Sequence, residues 1–310
     1  MTASKPWSQY WSQGHKTSFG NTFNDCYEGI IKSEWRKVFM NMKPEDSVLD
    51  LCTGNASLIR LAKQESVCFS AISFTGVDYA DVVVDQQFLN LANVKLLFNQ
   101  NIEQLSFRDN TFDFVISNFG IEYSCLTKSL SEAARVLKDG GRIDFFCHHI
   151  ESKIIQSSQT ELLMLTDIYK NNGAIGCLKK LITSLEKKVG STSADDSEHW
   201  RLKLNECLAL LVDKFGATFH QGDFITFLKF VLKPTTKEKM NIFKIFNEEM
   251  IDYKMRLNEM VNAAITLSKI EDIMLTLTSL GFIDIVQAPI LSEGECIAYK
   301  IEAIKKSIIN

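Results

Sequence analysis

The hydrophobic positions divide the chain into an alternating region and a helical region. Between residues 46 and 149, five short apolar runs alternate with helical stretches: SVLDLC (47–52), ISFTGVD (72–78), VKLLFNQ (94–100), FDFVISN (112–118) and RIDFFCHH (142–149). Continuous apolar strands separated by helices are typical of a parallel sheet that is covered on both faces. Right-handed crossovers then bring the carboxyl ends of these strands to one edge of the sheet.

Three stretches between these strands are predicted to be helical: ASLIRLAKQ (56–64), DVVVDQQFLNLA (81–92) and TKSLSEAARVLKDGG (127–141), the last with a glycine stop. Near the end of the chain, KIEDIMLTLTSLGFIDIVQAP (269–289) predicts a helix, a stop at Gly281 and a strand. A final strand is predicted from CIAYKIEAIKK (296–306). These last elements return to the alternating pattern.

Residues 151–267 interrupt the alternation with amphipathic helices, in which apolar residues recur every three or four positions. The helical stretches are IIQSSQTELLMLTDIYK (154–170), EHWRLKLNECLALLVDKFG (198–216) and KEKMNIFKIFNEEMIDYKMRLNEMVNAAI (237–265), and VGSTSADDS (189–197) is the predicted loop. We therefore predict three parts. Residues 1–43 form an N-terminal lid and helix, residues 44–150 and 268–310 form the sheet domain, and residues 151–267 form a helical cap over the strand ends.

Composition narrows the class of protein. Apolar residues make up 45% and charged residues 23% of 310 residues, as in an ordinary globular protein. The net charge of -4 and the lack of a basic block argue against binding to nucleic acid or to an anionic membrane. No signal pattern or membrane span is evident, so a cytoplasmic protein is predicted. The 8 cysteines show no C-x-x-C pair, which predicts reduced thiols and no metal site.

The turn after the first strand, within VLDLCTGNASL (48–58), is the first candidate binding element. Asp50 ends the strand, Gly54 lies in the middle of the turn, and Asp78 ends the next strand. Ligands of open parallel sheets bind outside the strand carboxyl ends, where the connections diverge. A carboxylate such as Asp78 can accept hydrogen bonds from both hydroxyls of a ribose. Gly54 allows the backbone to approach a ligand closely.

This turn, followed by NIEQLSFRDNTFDFVISN (101–118), ARVLKDGGRIDFF (134–146) and LGFIDI (280–285), resembles the class I S-adenosylmethionine-dependent methyltransferases. The similarity is to their small-molecule branch, typified by the ubiquinone and menaquinone methyltransferases. The resemblance covers residues 44–149 and 268–305. It implies an α/β Rossmann-like sheet, mostly parallel with the last strand antiparallel, here with the helical cap as an insertion. It also implies S-adenosyl-L-methionine as cofactor and S-adenosyl-L-homocysteine as product.

The resemblance also implies a set of cofactor-binding residues. Asp50 matches the acid near the methionine ammonium, Gly54 the central glycine, and Asp78 the ribose acid. Cys52 and Ala56 stand where glycines are commoner, and their small side chains are expected to fit. The remaining positions are Tyr79 and Ile102 beside the adenine, Asn101 at its amine, Asn118 near the reacting centre, and Trp11.

Methyl transfer from a sulfonium needs a well-placed nucleophile and sometimes a base. His148 and His149 end the fifth strand and suit proton transfer near neutral pH. Glu122 and Tyr123 follow the fourth strand and are candidates to hold an amine or to orient a hydroxyl. Each of these residues also has a purely structural interpretation, as a cap of a strand end or of a turn.

The aromatic N-terminal segment PWSQYWSQGHKTSFGNTF (6–23) is predicted to cover the cofactor, with an aromatic face against the sulfonium cation. Packing on the cap as a hydrophobic staple is an equally good interpretation.

Two functions remain open. The leading hypothesis is methyl transfer to a small-molecule acceptor through an O-, N- or C-nucleophile, with the acceptor enclosed between the sheet domain and the cap. The alternative is a non-catalytic protein of the same fold that binds a nucleoside or a partner chain. An oxidoreductase that uses NAD is disfavoured, because the chain has no G-x-G-x-x-G turn. Residues 151–267 have a rival role as a homodimer surface.

Overall fold

A mixed sheet organises most of the chain. Within residues 5–18, 26–187 and 194–307, which the computed structural model describes, one sheet of seven strands is formed. The strands are β1 Ser47–Leu51, β2 Ser73–Val77, β3 Val94–Leu97, β4 Phe112–Asn118, β5 Leu137–Cys147, β6 Phe282–Ser292 and β7 Glu295–Lys305. Their order is β3-β2-β1-β4-β5-β7-β6. The first five strands are parallel, and β7 is antiparallel to both β5 and β6. The predicted sheet is therefore confirmed.

The α-helices of the described residues are α1 Lys5–Ser12, α2 Gly29–Phe39, α3 Ser57–Glu65, α4 Gln86–Leu89, α5 Leu126–Val136, α6 Lys153–Tyr169, α7 Ala174–Lys187, α8 Ala194–Gln221, α9 Asp223–Val231, α10 Lys239–Ala263 and α11 Leu267–Ser279. None of the helices in this part of the chain is long and apolar enough to cross a membrane.

Side chains that alternate along β1 reach two separate cores, one on each face of the sheet. Val48 packs in a cluster with Trp35 of α2, whereas Leu49 packs in a cluster with Ile273 of α11. Both faces of the central strands are thus buried, which is why they read as continuous apolar runs. The connection from β1 leads to β2 on one side, and β4 lies on the other side. The carboxyl ends of β1 and β4 therefore flank the point where the strand order diverges.

The chain divides into two compact units, one comprising Met1–Ile155 with Glu259–Asn310 and the other Gln156–Asn258. The second unit is helical. Within it, the rings of Phe227 and Phe246 stack at 3.7 Å, and Tyr253 donates a 2.8 Å hydrogen bond to Glu161. Helix α8 bends at Gly216, where φ is +47°. The second unit thus contains both apolar and hydrogen-bonded contacts between its own helices.

The predicted helix over residues 81–92 was wrong in extent, because only Gln86–Leu89 is helical. Three consecutive valines precede this turn, and β-branched side chains disfavour the first turns of a helix. Asp85 then caps α4, where its Oδ1 accepts a 2.9 Å hydrogen bond from the Phe88 amide. The cap fixes the start of the helix at Gln86, five residues later than the sequence pattern indicated.

Three other predictions differ from the structure. Helix α5 ends at Val136 rather than at the glycine pair, because Leu137 already pairs with Phe112 as the start of β5. Of the predicted loop 189–197, residues 189–193 lie outside the described residues, and α8 begins at Ala194. Helices α7 and α9 were not predicted. Helix α9, DFITFLKFV, is a short apolar stretch, and hydrophobic periodicity alone does not distinguish such a stretch from a buried strand.

Candidate active site

The site begins at the carboxyl end of β1, where Asp50 is almost completely buried. Its Oδ2 accepts a 2.6 Å hydrogen bond from the Thr53 hydroxyl. The Thr53 amide in turn donates a 2.9 Å hydrogen bond to the carbonyl of Val77 on β2. Burial, with a smaller contribution from the charge of Asp78, raises the pKa of Asp50 from 3.8 to about 7. A cation beside Asp50 would favour its ionised form.

The turn after Asp50 has a glycine-like backbone at residues that are not glycine. Cys52 and Ala56 have φ of +58° and +59°, and Gly54 between them has φ of +50°. The left-handed region costs an L-residue with a Cβ roughly 1–2 kcal/mol. The positions where glycine is commoner in the resembling family therefore keep a left-handed conformation in this chain. The small side chains of Cys52 and Ala56 are accommodated at the cost of local strain.

At two positions of this site only a glycine fits, because a neighbouring residue lies too close for a Cβ. A Cβ on Gly54 would lie 2.6 Å from Cζ2 of Trp11, so the indole covers this glycine. A Cβ on Gly120, in the loop after β4, would lie 2.4 Å from the Cβ of Cys52. The loop after β4 thus touches the turn after β1 through Gly120, whereas Gly54 is the point at which α1 covers that turn.

Asp78 ties the first two strand ends together. Its Oδ2 accepts a 2.7 Å hydrogen bond from the Gly54 amide, and its Oδ1 accepts one of 2.9 Å from the Ala80 amide. Burial raises the pKa of Asp78, and the backbone hydrogen bonds act in the opposite direction. Each carboxylate oxygen retains a lone pair for a further donor.

These residues face a cavity of about 620 Å³, within the size range of small-molecule and cofactor sites. Among the predicted residues, the wall contains Trp11, Asp50, Cys52, Gly54, Asp78, Tyr79, Asn101, Ile102, Asn118, Glu122 and Tyr123. Neither His148 nor His149 is one of the lining residues. The wall also contains residues that the sequence analysis did not select, among them Tyr27, Phe119, Glu259, Asn262 and Lys269.

The amides of the site are already oriented by the protein. Asn118 Oδ1 accepts a 2.8 Å hydrogen bond from the Trp35 indole, and its Nδ2 is buried without a partner among the described residues. Asn101 Oδ1 accepts a 2.9 Å hydrogen bond from the Glu103 amide. The Asn118 Nδ2 group can therefore still donate a hydrogen bond to a ligand, whereas the Asn101 Oδ1 has already accepted one hydrogen bond from the protein.

His148 lies behind Glu122 rather than in the cavity wall. Glu122 Oε1 accepts hydrogen bonds of 2.9 Å from both the backbone amide and the Nδ1 of His148. The imidazole ring stacks on Phe119 with 4.4 Å between centroids. His148 Nε2 and Glu122 Oε2 are both buried without a hydrogen-bond partner in the described residues. The histidine thus positions the glutamate.

His149 is held by the sheet. Its Nδ1 accepts a 3.2 Å hydrogen bond from the Glu151 amide, and its ring lies 4.5 Å from the ring of Tyr299 on β7. Burial lowers the pKa of His149. These contacts fit the structural interpretation of this residue.

Helix α1 brings an aromatic group to the cavity. The rings of Trp7 and Trp11 stack at 6.2 Å, and the rings of Trp7 and Tyr123 lie nearly perpendicular with 5.8 Å between centroids. Below α1, Asn55 Nδ2 donates a 3.0 Å hydrogen bond to the carbonyl of His15. Of the predicted lid, residues 1–4 and 19–25, including Phe19, lie outside the described residues.

The raised pKa of Asp50 leads to a prediction about stability and pH. A folded pKa of about 7 lies above the usual 3.8, so the folded state holds this proton more tightly. The stability that this proton contributes is present below about pH 4 and is lost as pH rises through about 7. Relative to wild type, Asp50→Asn is therefore expected to gain on the order of 1 kcal/mol or more between pH 4 and pH 8.

Denaturant unfolding of the ligand-free protein at several pH values measures this difference. Asp272→Asn, at an exposed position of α11, is the matched control and should track wild type at every pH. If the Asp50→Asn curve runs parallel to the wild-type curve, Asp50 does not titrate in this range.

Comparisons with known proteins identified a matching family and several similar proteins. A family model described as a methyltransferase domain matches residues 49–145. The ubiquinone/menaquinone biosynthesis C-methyltransferase of Zymomonas mobilis is 29% identical over 210 residues, which are 65% of this chain and 78% of that protein. The demethylmenaquinone methyltransferase of Staphylococcus epidermidis is 31% identical over 156 residues, 47% of this chain and 60% of that protein. Among solved structures, an S-adenosylmethionine-dependent methyltransferase of Aquifex aeolicus is 21% identical over 39% of this chain and 66% of that chain, with a TM-score of 0.32.

The match of residues 49–145 to a methyltransferase domain and the similarity to the ubiquinone/menaquinone C-methyltransferase indicate a methyltransferase of the class I S-adenosylmethionine-dependent type. Its cofactor is accordingly S-adenosyl-L-methionine, as the sequence motifs predicted. The sequence similarity lies with the ubiquinone and menaquinone branch, and the chain spans 60% of the Staphylococcus relative.

Proposed function

We propose that this protein transfers the methyl group of S-adenosylmethionine to a small-molecule acceptor held in the cavity beside β1, β2 and β4. The observation that carries the proposal is the pair of buried carboxylates, Asp50 and Asp78, at the ends of adjacent strands and in one cavity wall. Buried carboxylates are costly unless they meet cations or hydrogen-bond donors. The cofactor offers both, as an ammonium group and as two ribose hydroxyls.

The residues present fit the cofactor. In this proposal Asp50 holds the ammonium, which compensates the burial that raises its pKa. Asp78 uses its remaining lone pairs for the ribose hydroxyls. Tyr79, Asn101 and Ile102 line the part of the cavity wall assigned to the adenine. The buried Nδ2 of Asn118 supplies a further donor.

S-adenosylmethionine supplies an activated methyl group on a sulfonium, which a nucleophile takes by in-line displacement. The protein's own contribution is therefore mainly orientation and exclusion of water. Orientation alone can lower such a barrier by roughly 7–11 kcal/mol. Trp7 and Trp11 of α1 form an apolar wall of the cavity and serve in this proposal as the lid. An aromatic face beside a sulfonium contributes about 0.5–2 kcal/mol.

The division into residues 1–43, 44–150 with 268–310, and 151–267 is part of the same proposal. Of the segment 151–267, three residues at the carboxyl end of α10 line the cavity, namely Glu259, Asn262 and Ala263. They are the contribution of this segment to the acceptor side. A homodimer through the segment remains the rival proposal for the rest of its surface.

The test is turnover of the purified protein with S-adenosylmethionine and a panel of small amines, phenols and hydroquinones. We expect S-adenosylhomocysteine, measured by mass spectrometry, to form only when an acceptor is present and becomes methylated. If the protein binds the cofactor but forms S-adenosylhomocysteine with no member of the panel, the non-catalytic alternative is favoured. Absence of cofactor binding would overturn the proposal itself.

A further inference from the structure

Two cysteines of the helical unit meet at one carbonyl oxygen. Cys177 lies on α7 and Cys207 on α8, and these two helices pack against each other. The Sγ of Cys177 lies 3.6 Å from the carbonyl oxygen of Asn172, and the Sγ of Cys207 lies 3.5 Å from the same oxygen. Both thiols donate to it, and both are reduced in this structure. Residues that are distant in the sequence thus place their sulfur atoms at one point.

The two thiols also interact with each other. Burial, followed by the charge of Cys207 and a hydrogen bond between the two side chains, raises the pKa of Cys177. A disulfide requires neighbouring Cβ atoms and a sulfur–sulfur distance of about 2.0 Å. Thiols that already share a hydrogen bond and an acceptor across two packed helices are close to that arrangement.

A pair of thiols is also the beginning of a metal site, but the other ligands are absent here. A structural zinc ion needs four ligands, drawn from cysteine, histidine and carboxylate side chains. In the part of the chain that the structure describes, no group of three or more such side chains could hold a metal ion. A bond between the two sulfur atoms is the reaction that this pair can complete alone.

The two cysteines differ in their access to solvent. Cys177 is only 4% exposed, whereas Cys207 is half-buried. A small reagent therefore reaches Cys207 first. Each cysteine also has an exposed lysine one helical turn away on its own helix, Lys180 on α7 and Lys203 on α8. Lys203 Nζ is also paired with Glu206 Oε2 at 2.9 Å.

These lysines promote the reaction of the pair. The charges of Lys180 and Lys203 act against the burial that raises the pKa of Cys177. Ammonium groups beside a thiol favour its thiolate, which is the nucleophile in thiol–disulfide exchange. They also attract reagents that carry carboxylates.

The carbonyl oxygen that joins the thiols tolerates their loss as donors. Asn172 is exposed and has φ of +58°, a left-handed conformation that asparagine adopts more readily than most residues. Water can therefore reach its backbone oxygen when the two S–H groups are removed. Oxidation of the pair leaves no buried acceptor without a donor at this point.

We propose that Cys177 and Cys207 form a reversible disulfide, which joins α7 to α8 when the protein meets a low-molecular-weight disulfide such as oxidised glutathione. Cys207 loses its proton to solvent and its thiolate attacks one sulfur of the glutathione disulfide, whose S–S bond breaks to release one glutathione thiolate. The thiolate of Cys177 then attacks the Sγ of Cys207 and displaces the second glutathione. The two protein thiols are oxidised by two electrons, and the glutathione disulfide becomes two thiols, which take up the two protons.

The crosslink has a consequence for the stability of the helical unit. It closes a long loop of the chain and so restricts the unfolded state. We expect oxidation to raise the midpoint of thermal unfolding by roughly 5 °C in the wild type and by nothing in Cys177→Ser. Dithiothreitol should reverse the rise. An unchanged midpoint in the crosslinked protein would contradict the joining of the two helices.

The disulfide itself is tested by mapping the cysteines. Full-length protein is incubated with oxidised glutathione at neutral pH, alkylated with N-ethylmaleimide, digested and examined by mass spectrometry. We expect the Cys177–Cys207 peptide pair to be the predominant crosslink and to disappear with dithiothreitol. In Cys177→Ser, Cys207 should retain one glutathione as a mixed disulfide. In Cys207→Ser, Cys177 should incorporate at least about tenfold less glutathione than that.

Cys125→Ser is the matched control, because Cys125 is exposed and lies on neither helix of the pair. Its crosslink should form as in the wild type. A wild type in which both thiols stay open to N-ethylmaleimide, or in which Cys207 retains glutathione, overturns the proposal. So does a Cys177–Cys207 crosslink no more abundant than in protein oxidised in urea. If Cys177→Ser does not fold, the wild-type map together with Cys207→Ser decides the question.

Discussion

Asp78→Ala is expected to weaken the binding of S-adenosylmethionine by on the order of 2–4 kcal/mol, because two charge-assisted hydrogen bonds to the ribose are lost. The same side chain holds the Gly54 amide at 2.7 Å and the Ala80 amide at 2.9 Å, so the substitution also releases the turn after β1. Calorimetric titration of the wild type and the variant measures the change. Asp78→Asn, which keeps a neutral acceptor, should fall between the two.

Asp81→Ala is the matched control for Asp78. Asp81 lies three positions further along, is exposed, and accepts a 2.7 Å hydrogen bond from Asn99 outside the cavity wall. We expect its affinity for the cofactor to equal that of the wild type. A folded Asp78→Ala protein with unchanged affinity would remove Asp78 from the cofactor site.

Gly120→Ala is expected to destabilise the protein by about 3 kcal/mol, at the upper end of the usual cost of overpacking. The new Cβ would lie 2.4 Å from the Cβ of Cys52, and no side-chain rotation can move either atom. Cys52→Gly removes that obstacle and also relieves a left-handed residue, which costs roughly 1–2 kcal/mol. The double variant should therefore recover most of the stability that Gly120→Ala loses.

Denaturant unfolding of the four proteins in this cycle yields the coupling energy between the two loops. Gly176→Ala is the control, because a Cβ at this position of α7 meets nothing within 4 Å. We expect it to stabilise the helix by roughly 0.5–1 kcal/mol. If the changes in the free energy of unfolding caused by Gly120→Ala and Cys52→Gly are additive, the close approach of the two loops does not limit stability, and the prediction is wrong.

Much of the cavity wall that we propose for the cofactor could be predicted from the sequence, because strand ends carry local signals. Asp50 and Asp78 each end an apolar run, and the shared edge of a parallel sheet brings them together. The left-handed conformations of Cys52 and Ala56 could not be predicted, since neither residue type favours positive φ. They follow from the tertiary contacts of the turn with α1 and with the loop after β4.

The acceptor side was less predictable. Glu259 and Asn262 lie at the end of a long helix whose pattern shows an amphipathic surface but not what it meets. His148 was predicted as a catalytic residue at the end of the fifth strand, and only the structure reveals that its hydrogen bonds go to Glu122. Sequence spacing identifies the edge of the sheet to which a side chain belongs, but not which of two neighbouring side chains faces the cavity.

The glycine-poor turn has a consequence for the thermodynamics of ligand binding. A residue with a Cβ has far fewer backbone conformations available than glycine, so Cys52 and Ala56 restrict the turn before any ligand arrives. The entropy of ordering the turn is then lost when the protein folds and not when the cofactor binds. A preorganised turn of this kind raises affinity without adding a contact. The presence of Cys52 and Ala56 in place of glycines thus has two effects. It strains the turn locally, and it lowers the entropic cost of binding the cofactor.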